Sequence, residues 1–94
     1  MANNQNNETI RLTPRVRYRS VGEDGVLVHL DNGRVIVVNE VGLHIIRQLD
    51  TPTTRKALAA SIAGNFEASA EQALTDLDAF LSELDAEQAI ERNM

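Results

Sequence analysis

Val26-Leu27-Val28-His29-Leu30-Asp31-Asn32-Gly33-Arg34-Val35-Ile36-Val37-Val38 is two apolar stretches around a polar turn. Asn-Gly supplies the positive φ angles that a tight hairpin needs, and β-branched residues flank it on both sides. Val26 to Leu30 therefore reads as one strand and Arg34 to Val38 as its antiparallel return. The returning strand has apolar residues on both faces. One face should meet helices, and the other should be only partly covered.

Upstream, Arg15, Arg17 and Arg19 alternate with Val16 and Tyr18, which is strand period. Regular arginines mark an edge strand protected from aggregation by charge. Gly22-Glu23-Asp24-Gly25 turns it into the hairpin. The result is a three-stranded antiparallel meander. Residues 1–10 are Asn-rich and aperiodic, and are expected to be a disordered arm in front of a domain spanning 11–92.

Downstream the period becomes helical. Asn39 can cap a first helix with Glu40 in its first turn and an apolar stripe of Val41, Leu43, Ile45, Ile46 and Leu49. Asp50-Thr51-Pro52-Thr53 breaks it. Thr54 can cap a second helix carrying Leu58, Ala59 and Ile62, with Gly64 as a left-handed stop and Phe66 folding back onto the core. Ser69 and Gln72 have capping-box spacing. The third helix then carries Ala70, Ala73, Leu74, Leu77, Phe80, Leu81 and Leu84, with Ile90 extending the stripe. Strands first and helices after give an α+β fold: a winged helix-turn-helix, its meander followed by three helices.

Composition narrows the function classes. The chain has 94 residues, 43% of them hydrophobic and 24% charged, and no cysteine. One domain follows, without disulfides, thiol catalysis or thiolate metal sites. No apolar run reaches the roughly 18 residues that span a bilayer. The N-terminus lacks the basic and apolar regions of a signal peptide, so a cytoplasmic protein without membrane contact is expected. Charge is segregated. Four arginines in residues 1–20 face only Glu8, whereas eight acids in residues 67–94 face only Arg92.

Catalytic chemistry has little to work with. His29 lies in a strand and His44 in a helix, and neither has a second metal donor at ligand spacing. Ser20, Ser61, Ser69 and Ser82 show no nucleophile signature. Asp76, Asp78, Glu83 and Asp85 crowd one helix, where carboxylates ordinarily form a solvated face. No enzyme and no cofactor are expected. A DNA-binding winged helix needs a basic recognition helix, and this third helix is acidic, so no nucleic-acid partner is expected.

Peptide binding fits better. A free strand edge offers backbone donors and acceptors to an extended peptide. Were such an edge to lie beside the acidic third helix, the two would enclose a groove. Val35, Val37, Leu77 and Phe80 would floor it, and Asp76 and Glu83 would suit Lys or Arg on the peptide. On periodicity alone, the favoured reading of these apolar residues is core.

Arg11 to about Ile90 resembles the PqqD-like family, also called RiPP recognition elements. The resemblance lies in Leu12-Thr13-Pro14-Arg15-Val16, the hairpin Val26 to Val38, and Val38-Asn39-Glu40-Val41-Gly42 leading into a helix. It continues through Ile46, Leu49 and Asp50, the Thr54 to Ile62 helix, Phe66, and Asp76-Leu77, Phe80-Leu81 and Leu84.

The resemblance implies a non-catalytic module that captures the leader of a ribosomally made precursor peptide as an added strand. It would present that peptide to a modifying enzyme such as a radical-SAM enzyme, protease or cyclase. It also chooses the edge. The contacts it implies are Arg34, Val35, Ile36, Val37, Val38 and Asn39 on the third strand, with Ala73, Asp76, Leu77, Phe80, Glu83 and Leu84 on the third helix. The chain departs from the family at Asp50-Thr51, where Asp-Gly is common, and at Arg55-Lys56, where acids are expected. It departs again at Gln88, which stands where a glycine is usual. The alternatives are a DNA-binding transcription regulator and a protein–protein adaptor. A free edge also allows a monomer or a weak homodimer.

Overall fold

A computed structural model describes residues 8–94. Five strands and three helices follow in the order β1 (Thr9–Leu12), β2 (Val16–Val21), β3 (Asp24–His29), β4 (Val35–Val38), α1 (Glu40–Gln48), α2 (Arg55–Asn65), α3 (Ala70–Ala86) and β5 (Ile90–Asn93). β2, β3 and β4 form the expected antiparallel meander, with β4 at one edge. α1 packs on one face of the meander through β3 and β4, and α2 packs behind it against α1 and α3. Ile10, Leu27, Ile45, Ile46, Leu49, Leu58, Ile62, Leu77 and Leu84 fill the core between them.

The expected caps form. Asn39, Thr54 and Ser69 accept the backbone N–H of Gly42, Ala57 and Gln72 at 2.9, 3.1 and 3.0 Å. Each satisfies one of the donors that a helix start leaves free. The box at Ser69 is half made, since the Gln72 amide donates to Asp76 at 2.9 Å instead. Arg55 opposes the dipole of α2, but α3 answers it: its guanidinium donates to both carboxylate oxygens of Asp78, at 2.7 and 2.8 Å. That pair holds the Asp78 carboxyl below its ordinary range, chiefly through the hydrogen bonds from Arg55.

Four expectations need correction. A second, two-stranded sheet joins β1 to β5, pairing Thr9 with Asn93 and Leu12 with Ile90. Thr9 and Ile10 therefore belong to a strand, not to the arm, and Ile90 starts a strand, not a last turn of helix. Residues 1–7 of that expected arm lie outside the described residues. Gly64 sits inside α2 and is not left-handed. The helix ends at Phe66, whose backbone is extended and whose N–H donates to Ile62 at 2.9 Å. The Asn65 amide covers the Ser61 carbonyl at 2.8 Å. The Asp31-Asn32-Gly33 turn is also wider than two residues. Gly33 alone has positive φ, 70°, and His29 N–H closes the loop on the Arg34 carbonyl at 3.0 Å. The two-residue turn is Gly22-Glu23 instead, where Gly22 at φ 63° fills the first position of a type II′ hairpin.

The end of α3 explains one departure. Gln88 has φ 57°, the conformation glycine adopts at low cost. Its N–H donates to Asp85 at 3.0 Å and that of Ala89 to Leu84 at 2.9 Å, the two bonds of a Schellman motif. The Gln88 carbonyl also meets His29 Nε2 at 3.1 Å. These contacts are all main-chain on the Gln88 side, so glycine preserves them and removes the left-handed strain. Gln88→Gly is expected to raise stability by about 1 kcal/mol, or roughly 4–8 °C in a thermal melt. A lowered melting temperature would show that the exposed side chain contributes more than the strain.

Candidate functional site

β4 is short, apolar and open on one side. His29 N–H bonds the Arg34 carbonyl. Hydrogen-bonded and non-bonded pairs alternate along an antiparallel ladder. Ile36 opposite Leu27 and Val38 opposite Gly25 therefore spend their backbone groups on β3. Val35 and Val37 then direct N–H and C=O to the free edge, four groups without partners in the sheet. Their side chains are 60% and 74% exposed. No proline, lysine or bulge protects this edge, unlike most exposed strands.

α3 runs beside that edge, and the two enclose a groove of about 430 Å³. Val37, Val38, Asn39, Val41, Gly42, Ile45, Asp76, Ala79, Phe80 and Glu83 line it. Gly42 sets how closely its walls approach. A Cβ there would lie 2.9 Å from Val38 Cβ and 3.2 Å from Phe80 Cζ, so only glycine lets the first turn of α1 sit under both. Phe80 is half-buried over this turn. Asp76 and Glu83, about two helical turns apart and both exposed, put negative charge on the α3 rim.

Arg34, an expected contact, is not in the groove lining; it ties the start of β4 to the end of α3. Its guanidinium makes a bidentate contact with Glu87, at 2.6 and 2.8 Å, which raises its pKa first through the hydrogen bonds and then through the charge. Its backbone N–H goes to the Asn32 side chain at 2.9 Å, so Arg34 has no free ladder group in the way Val35 and Val37 do. The Asn39 side chain is likewise committed to its cap.

Of the expected contact residues, the structure gathers Val37, Val38, Asn39, Asp76, Phe80 and Glu83 around the groove. Val35 and Ile36 extend the strand beside it, but Val35 and Val37 do not floor the groove as expected. Strand alternation turns Ile36 and Val38 inward and the two valine side chains to the opposite sheet face. Ala73, Leu77 and Leu84 are instead in the core, at most 1% exposed, and do not reach the groove surface. Periodicity puts them on the same stripe as Phe80, but the stripe is wider than the groove, and its inner residues meet α1 and α2. Val41, Gly42, Ile45 and Ala79 are groove residues that the sequence reading did not assign there. A glycine in the first turn of a helix was the one local signal of a close approach.

Other hollows carry less. A larger one, about 600 Å³, lies among Glu8, Arg55, Lys56, Asp78 and Arg92. Its charges largely answer one another, with Arg55 on Asp78 at 2.7 Å and Arg92 on Glu8 and Asp85 at 3.1 and 2.8 Å. The histidines are engaged structurally. His29 is buried between Gln88 and the Asp31 N–H, and His44 contacts the Ser61 hydroxyl at 2.8 Å and the Phe66 ring edge-on. Among the described residues, no helix is long and apolar enough to cross a membrane.

Residues 24–90 match the family model of coenzyme PQQ synthesis protein D (PqqD). No curated protein matches the chain. Among solved structures, the chain is similar to TbiB1 in complex with the TbiA(beta) leader peptide, with a TM-score of 0.78 and 21% identity over 86% of this chain and 94% of that one. It is also similar to a lasso peptide synthetase B1 complexed with its leader peptide, at 0.75 and 18% over 87% and 96%. A third likeness is to the PqqD truncation of Methylobacterium extorquens PqqCD, a stand-alone RiPP recognition element, at 0.72 and 19% over 88% of each chain. At these identities the likeness is one of fold.

Proposed function

The chain belongs to the PqqD family, and from that premise we propose that it is a non-catalytic cytoplasmic module that binds the leader of a ribosomally made precursor peptide and presents it to a modifying enzyme. The observation that carries this reading is the unpaired edge of β4 beside the groove. An extended peptide lying antiparallel or parallel to β4 would pair with Val35 and Val37. Its inward side chains would descend toward Val38, Gly42, Ile45 and Phe80. A Lys or Arg among them would meet Asp76 or Glu83.

Four ladder bonds contribute about 0.5–1.5 kcal/mol each, and one or two buried anchors about 1.5–3 each. Micromolar binding, roughly −8 kcal/mol after ordering costs, therefore needs the full ladder and both anchors, with charge pairing at the acidic rim beside them. The acidic rim argues against nucleic acid, whose phosphates it would repel.

Titrating labelled protein with the leader half of a precursor encoded beside it should shift amide signals of Val35–Asn39, Gly42 and residues 76–83. Phe80→Ala should weaken that binding about tenfold and leave the rest of the spectrum native. Shifts confined to other surfaces, or wild-type affinity in Phe80→Ala, would remove the groove from the account.

A further inference from the structure

The face of the meander opposite the helices is bare. Tyr18, Leu27, Ile36 and Val38 point inward, so alternate residues point out. The register sets Arg17, Val28 and Val35 in one row across this outer face, and Arg19, Val26 and Val37 in the next. Val26 and Val28 are partly exposed, and a depression of about 150 Å³ lies between them and the two arginines. Four contiguous surface valines are more than the scattered apolar exposure of an ordinary surface.

Charge selects what would cover it. Among the described residues, Arg15, Arg34, Arg55 and Arg92 each pair with a carboxylate, whereas Arg17 and Arg19 pair with none; Arg11, Arg47 and Lys56 are also unpaired, but they stand on β1, α1 and α2, away from this sheet. Arg17 donates only to the carbonyls of Pro14 and Val16, at 2.9 and 3.0 Å, neither of which is a counter-charge. These two cations border an apolar patch on a chain of net charge −5. A protein surface with an apolar centre edged by Asp or Glu is complementary to that arrangement. A second copy stacked face to face would bring four arginines together, which disfavours it.

Size adds a condition. Two rows across three strands cover on the order of 200 Å², well below the ~800 Å² per partner of a stable interface. A peptide added beside β4 lengthens both rows, because its alternate side chains lie on the same face as Val35 and Val37. We infer that the outer sheet face docks the peptide-modifying enzyme through an acid-edged apolar surface, and that the enzyme engages sheet and peptide strand together. This rests on the peptide reading above.

The test uses the fluorescently labelled leader and the purified modifying enzyme encoded with it. Arg17→Glu/Arg19→Glu should bind the leader within about twofold of wild type, yet bind the enzyme at least ~10-fold more weakly. Arg19→Glu alone, which breaks no hydrogen bond, should act in the same direction. Leader should raise the affinity of the wild-type protein for the enzyme, and salt should lower it. Unchanged enzyme affinity in both variants overturns the docking face. Self-association in sedimentation that disappears in the variants also overturns it, assigning the face to a second copy. Absence of leader binding by the wild type would instead overturn the peptide reading, while the enzyme measured without peptide still tests the face.

Discussion

Val37→Pro is expected to lower leader affinity by at least ~100-fold, about 2.7 kcal/mol, while the domain stays folded. Proline removes the N–H that Val37 directs to the free edge, and its ring occupies the space an added strand must enter. The loss therefore exceeds one hydrogen bond. The fold survives because Val37 lies opposite Val26 in a non-bonded pair, so no bond to β3 is deleted. Ile36→Pro is the control. Its N–H faces Leu27, and its loss should open the β3–β4 ladder and lower the melting temperature. Fluorescence anisotropy with labelled leader, alongside circular dichroism melts, separates the two effects. Near-wild-type binding by folded Val37→Pro would mean that the peptide does not add to β4.

Ile10→Ala is expected to cost about 2–5 kcal/mol, a large share of the ~5–15 kcal/mol a small domain has. Ile10 is fully buried, and its backbone exchanges bonds with Thr53 at 2.6 and 3.0 Å. Truncation would leave a cavity where β1, β5 and the loop after α1 meet. Urea unfolding should show a lower midpoint with an unchanged slope. Because β1 pairs with β5 and the loop after α1, far along the fold from β4, leader affinity should persist wherever the variant is folded. A loss under ~1 kcal/mol would mean that the β1–β5 sheet is peripheral to stability.

The two residues in these predictions differ in how visible they are from sequence. Val37 stands in a long β-branched run after a turn signal, and local periodicity is enough to make it a strand. Ile10 stands in a four-residue strand with two buried side chains, next to an Asn-rich stretch, and its partner is about 80 positions away. Nothing local distinguishes such a strand from a tail. β5 is harder still, since only Ile90 in it is buried.

The helix starts were legible because capping is chemistry between residues three apart. The helix ends were less so. α2 passes through Gly64 because Phe66 packs beside His44 and the Asn65 side chain covers a carbonyl, neither of which glycine content reveals. α3 stops at a left-handed glutamine, which carries no stop signal. For the groove, spacing identified the wall of α3 and could not tell Phe80, which faces outward, from Leu77, which faces in. That distinction depends on where α1 sits, and Gly42 sets that.

The strap between β1 and β5 brings Thr9 and Asn93 opposite one another, on two neighbouring strands. Positions at the two extremes of the described chain therefore stand roughly 5 Å apart at the backbone. A short linker could join them, and the chain could be reopened at the exposed Gly22-Glu23 turn, giving a circular permutant with the groove intact. The same adjacency lets a host protein carry the domain as an insertion in one of its surface loops, with the β4 edge still free.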